Sequence, residues 1–264
     1  MNSEIVQAGG GEFALFRPAN QTGPDSPGTG PVLLWAHGWG HTHKNLLPLA
    51  EALPRPAASI LLDLPGFGAS PRPPSAWSTA DYADAAAEWL EALPPARRLW
   101  IAHSFGARIG LQLAARHPAL IDGLFLIAAA GLPPRRSVWR KARVAAWRWA
   151  YRLARGLTAE GPARERLRAR FGSADYRAAG PLRPILVKAV GEDLTAAARA
   201  VRCPVMLVYG DRDRETPPAL GERFAKLIPQ SRLVVLRGFD HWNVLTDGRH
   251  QLAHRIAEFM EQVG

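Results

Sequence analysis

A single cysteine, Cys203, in 264 residues rules out an intrachain disulfide, so the fold depends on packing rather than cross-links. Long apolar runs are also missing. No stretch approaches the ~18 uninterrupted apolar residues that a membrane span requires, and Met1–Phe16 lacks the basic start and apolar stretch of a secretory signal. A cytoplasmic location is therefore expected. Lysine is scarce, four residues against 29 arginines, and with abundant alanine and proline this reads as a compositional bias of the whole chain. No histidine pair has convincing zinc spacing, no internal repeat is visible, and neither a metal nor a cofactor is expected.

What remains is an ordinary globular composition, 47% apolar, in a chain long enough for one complete domain with its own core. The formal charge of +10 is unevenly placed. Between Pro133 and Val190 fifteen Lys and Arg face three acidic residues, Glu160, Glu165 and Asp175, so this stretch carries more than the whole excess. The rest is near neutral. Specific nucleic-acid binding is not expected; a weak contact of the basic stretch with anionic surfaces is the most its charge implies.

Short apolar runs bounded by Gly, Pro or Asp alternate with longer amphipathic stretches, which predicts a mostly parallel central sheet flanked by helices. The expected central strands are Val32–Ala36, Ser59–Asp63, Leu99–Ala102, Leu124–Ala128, Val205–Tyr209 and Arg232–Leu236, each apolar enough to be buried on both faces. Helices are expected over Asn45–Leu53, Thr79–Leu93, Phe105–Arg116, Pro218–Leu227 and His250–Gln262. A hairpin of Glu4–Gln7 and Phe13–Phe16, turned at Gly9-Gly10-Gly11, supplies antiparallel edge strands.

The alternation stops after Leu124–Ala128. About seventy-five residues precede the next strand, too many for a structureless loop, so residues 132–199 are expected to form a helical lid inserted into a core domain of residues 1–131 and 200–264. Within it, a helix over Arg140–Arg155 would gather Ala142, Ala145, Ala146, Trp149 and Leu153 on one face and turn Lys141, Arg148, Arg152 and Arg155 away. The plainer account is a docked helix with a solvated arginine face; the sharper one is a roof whose apolar side covers an acyl pocket.

Four motifs carry chemistry. Leu99–Ala107 reads as strand, sharp turn and helix start, with Ser104 at the turn between the small residues Ala102 and Gly106. A serine there also serves as a simple helix N-cap. Trp35-Ala36-His37-Gly38-Trp39-Gly40 follows the first parallel strand, Tyr209-Gly210-Asp211-Arg212-Asp213 closes the strand after the lid, and Gly238-Phe239-Asp240-His241-Trp242 follows the last strand. Each motif falls at the carboxyl end of an expected strand, the edge where open α/β sheets build their sites.

In this order the motifs resemble those of the α/β-hydrolase superfamily, serine hydrolases of carboxylesterase type, and the resemblance runs from Val32 to the last helix. The turn at Ser104 is similar to the nucleophile elbow, with Ala102 where the first glycine of G-x-S-x-G usually stands. The resemblance implies Ser104 as nucleophile, His241 as general base and Asp213 as the acid that orients it, with Asp211 as the alternative acid. It implies backbone N–H groups of Trp39 and Phe105 as the oxyanion hole. His37, Gly38, His103, Trp149 and Trp242 are placed around the substrate pocket, His37 and His103 as residues that hold loops. Asp63–Ser70 resembles a family loop that shapes the pocket wall. His41, His43, His117, His250 and His254 are expected on the surface.

Cleavage of a carboxylic ester, thioester or amide through an acyl-enzyme follows from that likeness, without a cofactor. Haloalkane dehalogenases and epoxide hydrolases carry Asp at the elbow, which Ser104 argues against. Acyltransferase, C–C hydrolase, cofactor-free haloperoxidase and lyase chemistries use the same three side chains and stay open, as does a binding protein that keeps the fold without turnover.

Overall fold

Gly9 and Gly10 take φ of 59° and 75°, a left-handed pair that glycine adopts without a Cβ penalty and that suits a two-residue hairpin. They join β1 (Asn2–Ala8) to β2 (Gly11–Arg17), whose partners run from Asn2 opposite Arg17 to Ala8 opposite Gly11. The computed structural model describes residues 2–18, 30–55, 57–133 and 174–263. Six further strands follow: β3 (Val32–Ala36), β4 (Ser59–Asp63), β5 (Arg98–His103), β6 (Gly123–Ile127), β7 (Val205–Gly210) and β8 (Ser231–Leu236). They form one eight-stranded sheet in the order β1-β2-β4-β3-β5-β6-β7-β8. From β4 to β8 all pairs are parallel, and β2 is antiparallel to both of its neighbours.

Two expectations about edges change. The hairpin does not supply two edge strands: β2 lies inside, between β1 and β4, with Phe13 and Leu15 fully buried. At the other side β8 pairs, among the described residues, only with β7 and is mostly part-exposed, so it is not buried on both faces. Its apolar run fills a lateral position that a period-two pattern does not reveal.

Helices cover both faces. α1 (His43–Glu51), with the C-terminal helices described below, encloses a core containing Leu33, Trp35, Leu99, Ile101, Phe125 and Met206. On the other face α2 (Thr79–Glu91) and α3 (Phe105–Arg116) pack over Leu34, Trp100, Leu124, Leu126 and Leu207. Alternate residues of each strand thus feed opposite layers, as a doubly covered sheet demands. α2 starts where it does because Ser78 and Asp81 form a reciprocal capping box: the Asp81 amide donates to Ser78 Oγ at 3.2 Å and the Ser78 amide to Asp81 Oδ2 at 2.6 Å.

After β6 the described chain resumes with α4 (Ala174–Ala178), a 3-10 turn (Gly180–Leu182), α5 (Arg183–Gly191) and α6 (Thr195–Ala200). Glu192 accepts the Thr79 amide at 2.8 Å and, through its other oxygen, the Thr79 hydroxyl. Arg108 donates to Ala189 O at 2.6 Å and Leu194 N to Gly131 O at 2.8 Å. Leu194, Ala198 and Val201 are buried in the α2–α3 layer. The helix expected over Arg140–Arg155, Trp149 included, lies outside the described residues. The chain ends with α7 (Pro218–Ala225), α8 (Asn243–Thr246) and α9 (Arg249–Val263).

Candidate active site

Ser104 stands between β5 and α3 with φ 45° and ψ −97°, a conformation that costs a non-glycine residue of order 1–3 kcal/mol and persists only where its surroundings impose it. They do so here. Ser104 N donates to Ile127 O and Gly106 N to His37 O, both at 3.0 Å, which pins the turn to β6 and to the loop after β3. A Cβ at position 106 would lie 2.4 Å from Ala36 O, so that position tolerates only glycine without a shift of backbone. The Ser104 side chain makes no cap hydrogen bond to the helix it precedes, which removes the N-cap account of this serine. Ser104 as a residue is half-buried, at the carboxyl end of β5.

His241 comes from the loop after β8. Its Nδ1–H donates to Asp213 Oδ2 at 2.7 Å, with both side chains buried. Asp213 is held from four directions: Oδ1 accepts the amides of Glu215 and Thr216 at 2.8 and 2.7 Å, and Oδ2 accepts Thr216 Oγ1 at 2.7 Å besides the imidazole. Burial opposes the charge on Asp213, but the hydrogen bonds from His241 and Thr216 outweigh it and hold the carboxyl below its ordinary range. Asp211, the alternative acid, is exposed and instead accepts Gly238 N at 2.7 Å, tying the loops after β7 and β8 together.

The serine and histidine loops meet through His103. Its Nε2–H donates to the backbone carbonyl of His241 at 3.0 Å, and the two rings lie 4.8 Å apart. Burial, reinforced by the His241 and His41 rings, holds the pKa of His103 well below the ordinary histidine value. The neutral ring therefore donates from Nε2 and leaves Nδ1 without a partner. Among the described residues no hydrogen bond joins the Ser104 hydroxyl to the His241 imidazole; Nε2 has Glu215 Oε2 at 3.7 Å instead.

The rings of Trp39 and Phe105 meet edge to face at 5.4 Å, and among the described residues neither amide donates to a backbone carbonyl. Phe105 N is the first amide of α3 and has no intrahelical partner by construction. Phe67, from the Asp63–Ser70 loop, packs against both rings at 5.0 and 6.0 Å. Asp63 organises that loop, accepting the amides of His43 and Ala69 and the His43 ring at 2.6, 2.8 and 2.9 Å.

The remaining site expectations divide. His37 and His103 are fully buried. His37 accepts Leu64 N at Nε2 (3.0 Å) and donates from Nδ1 to Gly38 O (2.7 Å), and burial lowers its pKa to about 4. Gly38 abuts the elbow, since a Cβ there would be 3.6 Å from Ser104 Cβ. Trp242 is exposed beside His241. His43 is not the surface residue expected, being buried on Asp63 and stacked on Phe16, while His41 is half-buried against Trp242 and His103. Their sequence neighbours include polar residues, and the inward fold of the chain after β3 is what buries His43. Thr216 and Glu215 escaped the sequence reading altogether; their spacing after Asp213 was the available signal, since side chains and amides two and three residues past an aspartate commonly return to its carboxylate. Among the described residues no group of three metal-ligating side chains is assembled.

A strained serine at a strand-to-helix turn, on the carboxyl edge of a mostly parallel sheet covered by helices on both faces, is an arrangement of the α/β-hydrolase fold. The chain belongs to the alpha/beta hydrolase fold family, whose profile matches residues 31–168. It is 30% identical to a pimeloyl-[acyl-carrier protein] methyl ester esterase of Chromobacterium violaceum, across 89% of this chain and 96% of that one. A 2-(acetamidomethylene)succinate hydrolase of Mesorhizobium japonicum is 27% identical, across 81% of this chain and 83% of that one. The solved structure of a thermophilic esterase from Thermogutta terrifontis has the same fold, with a TM-score of 0.69 at 22% identity over 100% of this chain and 99% of that one.

Proposed function

We propose that this protein is a serine esterase that cleaves a carboxylic ester through an acyl-enzyme, with Ser104 as nucleophile, His241 as general base and Asp213 as the orienting acid. The observation that carries the reading is the His241–Asp213 hydrogen bond of 2.7 Å beside a serine whose hydroxyl is not spent on its own helix. The esterase relatives agree with it. A serine hydroxyl is a weak nucleophile at neutral pH, so attack on the ester carbonyl requires Nε2 to take its proton. Asp213 fixes the tautomer with Nδ1 protonated and stabilises the imidazolium that forms, without accepting the proton. Amides of Trp39 and Phe105 receive the developing oxyanion, each such donor contributing roughly 2.7–4 kcal/mol. The imidazolium protonates the departing alcohol, and water activated by the same ring releases the acid.

Contact between Ser104 and Nε2 is made on turnover by side-chain rotation, because catalytic hydrogen bonds are often long in free enzymes and tighten with substrate. Small acyl esters are the ligands; nucleic acid is not a specific partner. Labelling with a fluorophosphonate, followed by assays of p-nitrophenyl esters of increasing chain length, tests the assignment. Both signals should vanish in S104A. Ester turnover that survives S104A refutes it; labelling without turnover of any ester moves the protein to acyl transfer or C–C cleavage.

A further inference from the structure

The His241 imidazole is flanked by carboxylate on both nitrogens. Asp213 sits on Nδ1, and Glu215, two residues on, brings Oε2 to 3.7 Å from Nε2. Glu215 is held there by Trp242, whose Nε1–H donates to Oε1 at 3.0 Å. The two differ from the buried pair in being open to solvent: the Glu215 side chain is 51% exposed and Trp242 is 39% exposed. The indole stands edge to face with the His241 ring at 4.9 Å and against His41 at 4.7 Å, so its orientation is set from two sides. A third carboxylate, Asp240, accepts the amides of Trp242 and Asn243 at 2.9 Å. A chain with a formal charge of +10 therefore presents acidic groups and an accessible indole beside the nitrogen that shuttles the proton.

In acyl transfer Nε2 delivers its proton to the leaving oxygen, so whatever flanks Nε2 flanks the departing alcohol. We propose that Glu215 and Trp242 form a leaving-group subsite for a cation, selecting esters whose alcohol carries an amino or quaternary ammonium group. This rests on the triad reading above. The half-exposed Glu215 carboxylate attracts the cation and the indole face adds cation–π attraction. An alcohol bearing carboxylate or phosphate meets repulsion at the same place. Solvent exposure limits the effect to roughly five- to tenfold in kcat/KM.

The test uses three esters of one acid: the choline ester, its uncharged isostere the 3,3-dimethylbutyl ester, and an ester whose alcohol ends in a carboxylate. The wild-type protein should favour them in that order, mainly through KM, with the preference shrinking as salt is raised. E215Q keeps an acceptor for the Trp242 indole and removes the charge; the choline-to-dimethylbutyl ratio should fall to about one and lose its salt dependence. A wild-type ratio of one or less, or a ratio unchanged in E215Q, overturns the subsite. An equal loss on all three esters in E215Q also overturns it, since Glu215 would then act only by holding the histidine. Ser104-dependent turnover without any charge preference sinks the subsite alone, whereas no Ser104-dependent turnover of any ester sinks the esterase reading and the subsite together.

Discussion

Asp213 does two jobs with one carboxylate: Oδ1 closes its own loop by accepting two amides, and Oδ2 receives the imidazole and the Thr216 hydroxyl. The division makes its replacement informative. D213N keeps the shape but lets the side-chain amide face Nδ1, which favours the wrong histidine tautomer; kcat should fall by roughly 10⁴-fold. If D213N retained wild-type kcat, the acid would have to be sought elsewhere, beginning with Asp211. T216V is a milder change. It removes one donor to Oδ2 and leaves the carboxylate three others, so a drop in kcat of about tenfold with little change in KM is expected. A larger loss in KM than in kcat would show that Thr216 contacts substrate instead.

At the scale of elements, the elbow is held by the approach of two backbones. β3 and β5 run parallel with Ala36 opposite Ala102, and the chain leaving β5 passes so close to β3 that a methyl at position 106 would meet Ala36 O at 2.4 Å and Ala36 C at 2.7 Å. Neither atom is the end of a flexible side chain. G106A should therefore destabilise the protein by about 1–3 kcal/mol, as overpacking does, and lower activity further by displacing Phe105 N and Ser104. Urea denaturation followed by tryptophan fluorescence reads the first effect, and a midpoint equal to wild type would contradict the close approach. The same element scale explains β8. Its composition matches the inner strands, but it has a neighbour on one side only, and lateral position in a sheet is a property of the pairing rather than of the strand.

For the whole molecule, the buried histidines set the response to acid. His37 has its pKa lowered to about 4, chiefly by burial, and His103 is shifted the same way. Between pH 6.5 and 4 the unfolded chain binds protons that the folded one refuses, so the stability these rings contribute is full above pH 6.5 and is lost progressively as pH falls towards 4. For His37 alone the change is on the order of 3 kcal/mol. Asp213, with its folded pKa depressed, retains its stabilising effect until pH falls below the ordinary carboxylate range. Urea midpoints should accordingly decline from pH 7 to pH 4.5, before most carboxylates titrate. A flat profile over that interval would mean that His37 is charged or accessible in the folded protein.

Strand and helix locations follow from local patterns alone, because apolar runs of five or six residues between Gly, Pro and Asp have few other ways to bury themselves. β3, β4 and α3 lie where those runs predict, residue for residue. Ser104, Asp213 and His241 each stand just past a strand, on the edge to which a parallel sheet carries its carboxyl ends, but their choice and order came from the resemblance to the α/β-hydrolase superfamily. Tertiary structure decided what depends on distance across loops. It put Asp213 rather than Asp211 on the imidazole, buried His43 against Asp63, turned His41 towards Trp242, and brought Thr216 and Glu215 to the histidine. Hydrogen-bond partners of that kind are chosen by the register of strands and the course of their connections, which local residue type constrains only weakly.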